Sequence, residues 1–144
     1  MNVLIHNVSS LEDIQKCLAI RTAVFVDGQN VPIGEEIDGK DGVSDHYLLF
    51  ADDKPVGVAR VRFVENYAKI ERVAILGSYQ GKGLGKSIMK KILFDLKQNT
   101  RSEMVKLSSQ IYAISFYEKL GFSVCSEEYM DAGIPHKDMQ LTFK

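Results

Sequence analysis

Three glycines within five residues mark the segment with the clearest chemical meaning. Residues 80–87 lie between an apolar strand pattern over 69–75 and a helical pattern, and they read Gln80-Gly81-Lys82-Gly83-Leu84-Gly85-Lys86-Ser87. Glycines let the backbone turn sharply and point several N–H groups at one place, and a helix N-terminus adds its positive dipole end. Lys82, Lys86 and Lys90 recur at every fourth residue and flank the turn with positive charge. We therefore predict a pyrophosphate site.

Two familiar phosphate motifs fit this segment incompletely. The loop of nucleotide hydrolases needs a glycine where Gln80 stands, and the dinucleotide fingerprint needs one where Lys86 or Ile88 stands. The spacing Gln-x-x-Gly-x-Gly between a strand and a helix instead resembles the signature of the Gcn5-related N-acetyltransferases. That resemblance implies acetyl-CoA as cosubstrate, bound by residues 80–87. A plain glycine-rich turn with solvated lysines is the alternative.

A second segment strengthens the resemblance. Residues 110–122 are similar to the part of this family in which Asn-x-x-Ala precedes Phe-Tyr-x-x-x-Gly-Phe, with Gln110 in place of Asn. The resemblance implies that Gln110 and Phe116 lie at the cofactor. It also implies that Tyr117 donates a proton to the departing sulfur. A packing role is the alternative for both aromatic residues.

Two further segments resemble a group of small bacterial acetyltransferases of the ElaA type. One begins at Arg21 and the other is Gly133-Ile134-Pro135-His136. The resemblance implies that the acceptor substrate is bound by residues of these segments, namely Phe25, Gln29, Glu36, Asp38 and His136.

Acetyl transfer to an amine sets its own requirements. An alkylamine is protonated at neutral pH, so a base must take its proton before it attacks the thioester. In the resembled family the pantetheine lies along the fourth strand, which predicts backbone contacts from Val73, Ala74 and Ile75. Alternation along a strand puts Glu71 on the same face as Val73, where its carboxylate could act as the base. His136 and water are the alternatives for that role, and a salt bridge with Arg72 or Lys69 is the alternative for Glu71.

The acidic loop from residue 34 to 41 predicts the kind of acceptor. The loop contains four carboxylates and one lysine, so its net charge is negative. We therefore expect a cationic small amine as acceptor, such as an amino acid or a polyamine. Two alternatives stay open: a CoA-binding module without turnover, and an acetyltransferase whose acceptor is a protein or peptide.

Composition narrows the class of protein. A chain of 144 residues with formal net charge −1 predicts one domain over 1–144, with no nucleic-acid partner and no membrane partner. Cys17 and Cys125 are too few for a disulfide framework, and we expect no bound metal. We predict a reduced, cytoplasmic protein that is a monomer or a homodimer.

Periodicity predicts the elements that position these residues. Strand patterns cover 3–5, 46–51, 56–64, 69–75, 104–107, 123–130 and 139–143, and helical patterns cover about 10–26, 84–98 and 112–120. A capping box of Ser9 and Glu12 is expected to start the first helix. This order fits an α+β fold with a mixed sheet. The family resemblance implies α/β/α-type layering, with a mostly antiparallel sheet of about six to seven strands and about four helices.

Overall fold

A computed structural model describes residues 1–99 and 102–143. Its strands are β1 Val3–Val8, β2 Asp45–Ala51, β3 Lys54–Val64, β4 Tyr67–Ile75, β5 Met104–Gln110, β6 Ser123–Val124, β7 Tyr129–Asp131 and β8 Ile134–Thr142. Its α-helices are α1 Leu11–Arg21, α2 Ile33–Glu36, α3 Leu84–Asn99 and α4 Ile114–Glu118. A π-helical segment, Thr22–Asp27, continues α1, and 3-10 turns cover Asp41–Val43, Gly77–Tyr79 and Ile111–Ala113.

One sheet contains all these strands. Its order is β1-β2-β3-β4-β5-β8-β6, with β7 also paired to β8. Neighbours run antiparallel except β4 and β5, which are parallel. The prediction of a mixed, mostly antiparallel α+β fold is therefore confirmed, with eight strands instead of six to seven.

The extra strand arises near the C-terminus, where the prediction was wrong in detail. Ala132 and Gly133 both have positive φ, at 52° and 75°, so the chain reverses within two residues. Pro135 is therefore a strand residue that pairs with Met130, not part of a long turn. The predicted strand over 123–130 is interrupted between β6 and β7, and β8 begins five residues before the predicted strand start at 139.

Two apolar clusters form the core, one on each face of the sheet. The larger one packs the buried face of α3, including Ile88, Met89 and Ile92, against the central strands. The smaller one packs Cys17 and Ile20 of α1 against the opposite face. Helices on both faces give the layered arrangement that the resemblance implied.

The helix boundaries differ slightly from those predicted. Ser10, not Ser9, is the N-cap of α1, and its Oγ accepts the Asp13 N–H at 3.1 Å. The cap moves by one residue because β1 continues to Val8. The predicted helix over 112–120 is a 3-10 turn followed by the shorter α4.

The sheet opens between its two parallel strands. Pairing of β4 with β5 runs from Tyr67–Met104 to Ile70–Leu107 and ends there, although both strands continue. On its other side β4 has a bulge, because Glu71 pairs with Arg60 whereas Ala74 pairs with Val58. The unpaired halves of β4 and β5 form an opening, here called the strand split. Within the described ranges, no helix is long and apolar enough to cross a membrane.

Candidate active site

The glycine turn lies directly after β4, at the strand split. Gly81 and Gly83 have φ of 77° and 80°, and a Cβ added at either position would have no atom within 4 Å. The positive φ favours glycine because it would strain a residue that has a Cβ. The open space around both glycines leaves their backbone accessible to a ligand. Helix α3 begins at Leu84, so its first N–H groups have no helical partner. Such a turn can bind an anion through backbone atoms alone.

Side chains of this segment mostly support the turn. Gln80 Nε2 donates to the Ile75 carbonyl at 2.9 Å and braces the turn against β4. Ser87 Oγ donates to the Gly83 carbonyl at 3.1 Å, and Leu84 is buried in the core. Lys82 and Lys86 are exposed beside the turn and leave two positive charges available there.

Helix α4 packs onto the start of α3. A Cβ on Gly85 would lie 3.5 Å from Phe116 Cζ, so Phe116 covers the first turn of α3. The Tyr117 ring lies edge-on to Phe116 and Phe122, with centroids 5.0 and 6.0 Å away. Burial, with a smaller contribution from Tyr112, raises the pKa of Tyr117 to about 12. Its hydroxyl therefore holds its proton at neutral pH and can donate it.

The bulge in β4 overturns the predicted side-chain alternation. Arg72 has φ of 56°, and beyond it Val73 and Ile75 pack toward the α3 core while Ala74 joins the cluster under α1. Glu71 therefore does not share a face with Val73.

Glu71 lies instead among cations on the α1 side of the sheet. Its carboxylate contacts Arg60 at 2.9 Å and Arg62 at 3.1 Å, and Lys69 lies 3.6 Å away. Burial raises the pKa of the Glu71 carboxyl, but the surrounding positive charges outweigh burial and hold it below its ordinary value. A carboxylate held this way is a poor proton acceptor, so the geometry argues against the predicted base role.

Arginine side chains also pair with carboxylates of the acidic loop, residues 34–41. Glu36 is buried, and its Oε2 accepts from Arg21 at 2.9 Å and from Arg72 at 2.8 Å. Asp38 pairs with Arg60 at 2.8 Å and with Arg72 at 3.3 Å.

Asp41 completes the cluster, because it pairs with Arg21 at 2.8 Å and with Arg60 at 2.9 Å. We call the whole cluster the arginine–carboxylate network; its members are Arg21, Arg60, Arg62, Arg72, Glu36, Asp38, Asp41 and Glu71. Three of the four carboxylates of the acidic loop, those of Glu36, Asp38 and Asp41, therefore have arginine partners, which weakens the argument that the loop attracts a cationic acceptor.

Two predicted acceptor residues, Gln29 and His136, lie next to the predicted cofactor residue Gln110 at the end of β5. Gln110 Nε2 donates to Gln29 Oε1 at 2.9 Å, which ties β5 to the loop after α1. Gln110 is paired in register with His136 on β8, so the two side chains share a face of the sheet. Phe25 instead packs against the cluster under α1, where it serves the core.

The hydrogen bond of His136 fixes its tautomer. Nδ1 lies 2.7 Å from the Ile134 carbonyl, which can only accept, so Nδ1 carries the proton. The neutral ring therefore keeps a lone pair on Nε2. Tyr129 stacks on the ring at an interplanar angle of 24° and a centroid distance of 6.1 Å.

Three polar residues beside His136 were missed from the sequence. Asp138 accepts from Ser108 Oγ at 2.9 Å and also from the Tyr129 hydroxyl. Ser108 and Asp138 are a register pair, one step along the same face from Gln110 and His136. Alternation along a strand covering 134–142 would have put His136 and Asp138 on one face, but the strand was predicted to begin at 139. In the described parts of the chain, no group of three or more His, Cys, Asp or Glu side chains is arranged so that it could hold a metal ion.

A split parallel strand pair, a turn that can bind an anion and a tyrosine that can donate a proton are together consistent with an acyl-CoA-dependent acyltransferase. Comparison with known proteins identifies the family: the GNAT acetyltransferase domain matches residues 18–143. The chain belongs to this family; it is an acyltransferase that uses acetyl-CoA as cosubstrate.

Relatives and solved structures agree with this assignment. The Bacillus subtilis N-acetyltransferase YjcF is 40% identical over 129 residues, covering 89% of this chain and 91% of that protein. Protein ElaA of Escherichia coli is 32% identical over 139 residues, covering 93% and 90%. Its crystal structure aligns with a TM-score of 0.85 at 28% identity, covering 97% and 98% of the two chains. An acyl-CoA N-acyltransferase from Pseudomonas aeruginosa aligns with a TM-score of 0.87 at 26% identity, covering 99% and 100%.

Proposed function

We propose that the protein transfers the acetyl group of acetyl-CoA to a small primary amine by direct attack in a ternary complex. The observation that carries the proposal is the strand split with the glycine turn at its edge. A split exposes strand backbone to an extended ligand, and the turn supplies N–H groups for the phosphates of the same ligand. Holding both reactants in one opening supplies a large part of the rate acceleration.

Acetyl-CoA would bind along the β4 side of the split. Its pyrophosphate would lie on the N–H groups of residues 80–87, assisted by Lys82 and Lys86. Its pantetheine would run along the backbone of residues 73–75. Phe116 and Gln110 would border the cosubstrate, with Phe116 acting through its packing on Gly85.

His136 is the base that the geometry favours over Glu71. The tautomer set by Ile134 leaves Nε2 free to accept the proton of the substrate ammonium. The neutral amine then attacks the thioester carbonyl and forms the C–N bond. The C–S bond breaks, Tyr117 gives its proton to the leaving thiolate, and the resulting phenolate takes the remaining extra proton from the acylated nitrogen, which leaves the neutral amide, the CoA thiol and protonated His136.

Asp138 replaces the acidic loop as the group that would attract a cationic amine. The described hydrogen-bond donors to its carboxylate are the neutral hydroxyls of Ser108 and Tyr129. Its negative charge is therefore not cancelled by an arginine, unlike those of Glu36 and Asp38. An amino acid or polyamine acceptor is consistent with this charge beside His136.

The test is release of CoA thiol from acetyl-CoA across a panel of amines. We expect turnover with small primary amines above the rate of acetyl-CoA hydrolysis, and formation of the N-acetyl product by mass spectrometry. Turnover with peptides alone would move the acceptor to the protein class. Tight CoA binding without transfer to any member of the panel would contradict the proposal.

A further inference from the structure

Arg72 occupies a strained position at the strand split. Its φ of 56° lies in the left-handed region, which is costly for a residue with a Cβ. The same residue forms the bulge that shifts the register between β3 and β4. A glycine would adopt this conformation without strain, so the arginine side chain must contribute something that offsets the cost.

That side chain reaches across to the acceptor loop. Arg72 Nε donates to Glu36 Oε2 at 2.8 Å, and Nη2 donates to the Glu36 and Glu35 carbonyls at 3.1 and 3.3 Å. Nη2 also donates to Asp38 Oδ2 at 3.3 Å. One guanidinium therefore binds the last carbonyls of α2, the carboxylate of its final residue and the segment that follows.

We propose that Arg72 is a positioning residue that couples the β4 edge of the strand split to the acceptor loop, residues 33–43. This inference rests on the proposed binding of acetyl-CoA along β4. The strand contributes the backbone that meets the cosubstrate, and the side chain of the same bulge sets the position of α2. Occupation of the split thus orders residues 33–43, the segment that follows Gln29, whose side chain contacts Gln110 next to His136.

Because Arg21 also binds Glu36, the effect of Arg72 on the loop can be measured in a protein that still folds. Arg21 holds Glu36 Oε2 from α1 at 2.9 Å, so α2 keeps one charged attachment without Arg72. The Arg72 side chain is 23% exposed, whereas that of Arg21 is 1% exposed. Loss of Arg72 should therefore loosen the loop and leave the core intact.

Arg72→Gly is the informative variant, because glycine keeps the bulge conformation and removes only the side chain. Arg72→Lys restores one positive charge without the planar fork. Lys91→Ala is the control, since Lys91 pairs with Asp95 on α3 and has no described contact with residues 33–43.

The experiment combines steady-state kinetics with amide hydrogen exchange, with and without acetyl-CoA. For Arg72→Gly we expect the KM for the amine to rise roughly tenfold, while the KM for acetyl-CoA changes less than about twofold. Exchange in 33–43 should become faster and lose its response to acetyl-CoA. Arg72→Lys should recover part of both effects, and Lys91→Ala should behave as wild type.

Wild-type exchange in 33–43 and a wild-type amine KM for Arg72→Gly would overturn the inference. So would a rise in the acetyl-CoA KM alone, because Arg72 would then only shape the strand. If acetyl-CoA fails to slow exchange in 73–75 and 80–87 of the wild type, the proposed cosubstrate position is wrong. The exchange of 33–43 in the unliganded Arg72→Gly protein then still decides whether Arg72 holds the loop.

Discussion

The glycine turn and the arginine–carboxylate network are two sides of one site that are built in opposite ways. The turn consists of eight consecutive residues whose backbone would perform the proposed binding, and its shape follows from Gly81 and Gly83. The network joins side chains of α1, α2, β3 and β4, and Arg60 alone contacts residues 19 and 22 positions away in the chain. In the proposed arrangement a local motif thus defines the cosubstrate side, and long-range ion pairs define the acceptor side.

This difference determines which substitutions each region tolerates. A backbone turn tolerates side-chain changes but not loss of its glycines. Loss of a fully buried member of the network such as Arg60 is costly, because the carboxylates that it faces lose a buried compensating charge. Replacement of an entire matched pair is the less costly route there, so acceptor specificity can change without disturbing the cosubstrate side.

Removal of Arg60 should give the largest effect on stability. Arg60 is fully buried and faces Asp38, Asp41 and Glu71. Arg60→Met leaves these carboxylates beside one another and should lower the free energy of unfolding by about 3–5 kcal/mol. Urea denaturation measures the change. Arg62→Met is the control, because Arg62 has a single carboxylate partner; an equal or larger loss for Arg62→Met would contradict the central place of Arg60.

Removal of the Tyr117 hydroxyl tests the cosubstrate side. Tyr117→Phe keeps the ring contacts with Phe116 and Phe122, so packing should survive. Turnover should fall about 10²-fold while the affinity for acetyl-CoA stays close to wild type. Single-turnover kinetics and calorimetry separate the two effects. The control is Tyr112→Phe, one turn earlier and 77% exposed. Full activity of Tyr117→Phe would make the residue a packing residue only.

The same contrast explains what could be predicted from the sequence. The turn, the stripe on α3 and the mixed sheet follow from contiguous patterns, and all three are confirmed by the structure and the family match. Glu71 was misplaced because a bulge at Arg72 changes the alternation, and a single arginine carries no sequence signal for φ of 56°. Asp38 looked free because its partner Arg60 lies 22 residues away.

Acid titration should reveal the network through the pH dependence of stability. The hydrogen bond from Arg60 lowers the pKa of Asp38, and arginine partners outweigh burial and lower that of Asp41. Carboxyls with a lowered pKa in the folded state contribute stability above their unfolded pKa near 4 and lose it as the pH falls. Asp38→Asn should therefore flatten the acid limb by up to about 1.4 kcal/mol per pH unit.

Urea midpoints between pH 7 and pH 2 measure this slope. Glu12→Gln, which removes a carboxylate that is 82% exposed, is the control and should leave the curve unchanged. A curve for Asp38→Asn that runs parallel to the wild type would show that the pairing with Arg60 contributes no pH-dependent stability.

Substitution of Asp138 should have the smallest effect of this series, a change in the KM for the acceptor amine. Asp138→Asn keeps the hydrogen bonds with Ser108 and Tyr129 and removes one charge, so the KM for a diamine should rise about threefold to tenfold. The KM for a neutral monoamine of similar length should rise less, and added salt should reduce the difference. Asp131→Asn, an exposed change on the adjacent strand, is the charge-matched control. Equal effects of the two variants would remove Asp138 from the acceptor site.

Calorimetric titration of acetyl-CoA into Gly83→Asp and Gly133→Asp tests the central claim most directly. Gly83 and Gly133 have nearly the same φ, 80° and 75°, and an added Cβ meets no atom within 4 Å at either position. Both variants therefore carry the same charge and similar backbone strain, and only Gly83→Asp puts a carboxylate in the glycine turn. We predict that Gly83→Asp loses affinity about a hundredfold or more, whereas Gly133→Asp binds as wild type. Unchanged affinity in Gly83→Asp would show that acetyl-CoA does not use this turn.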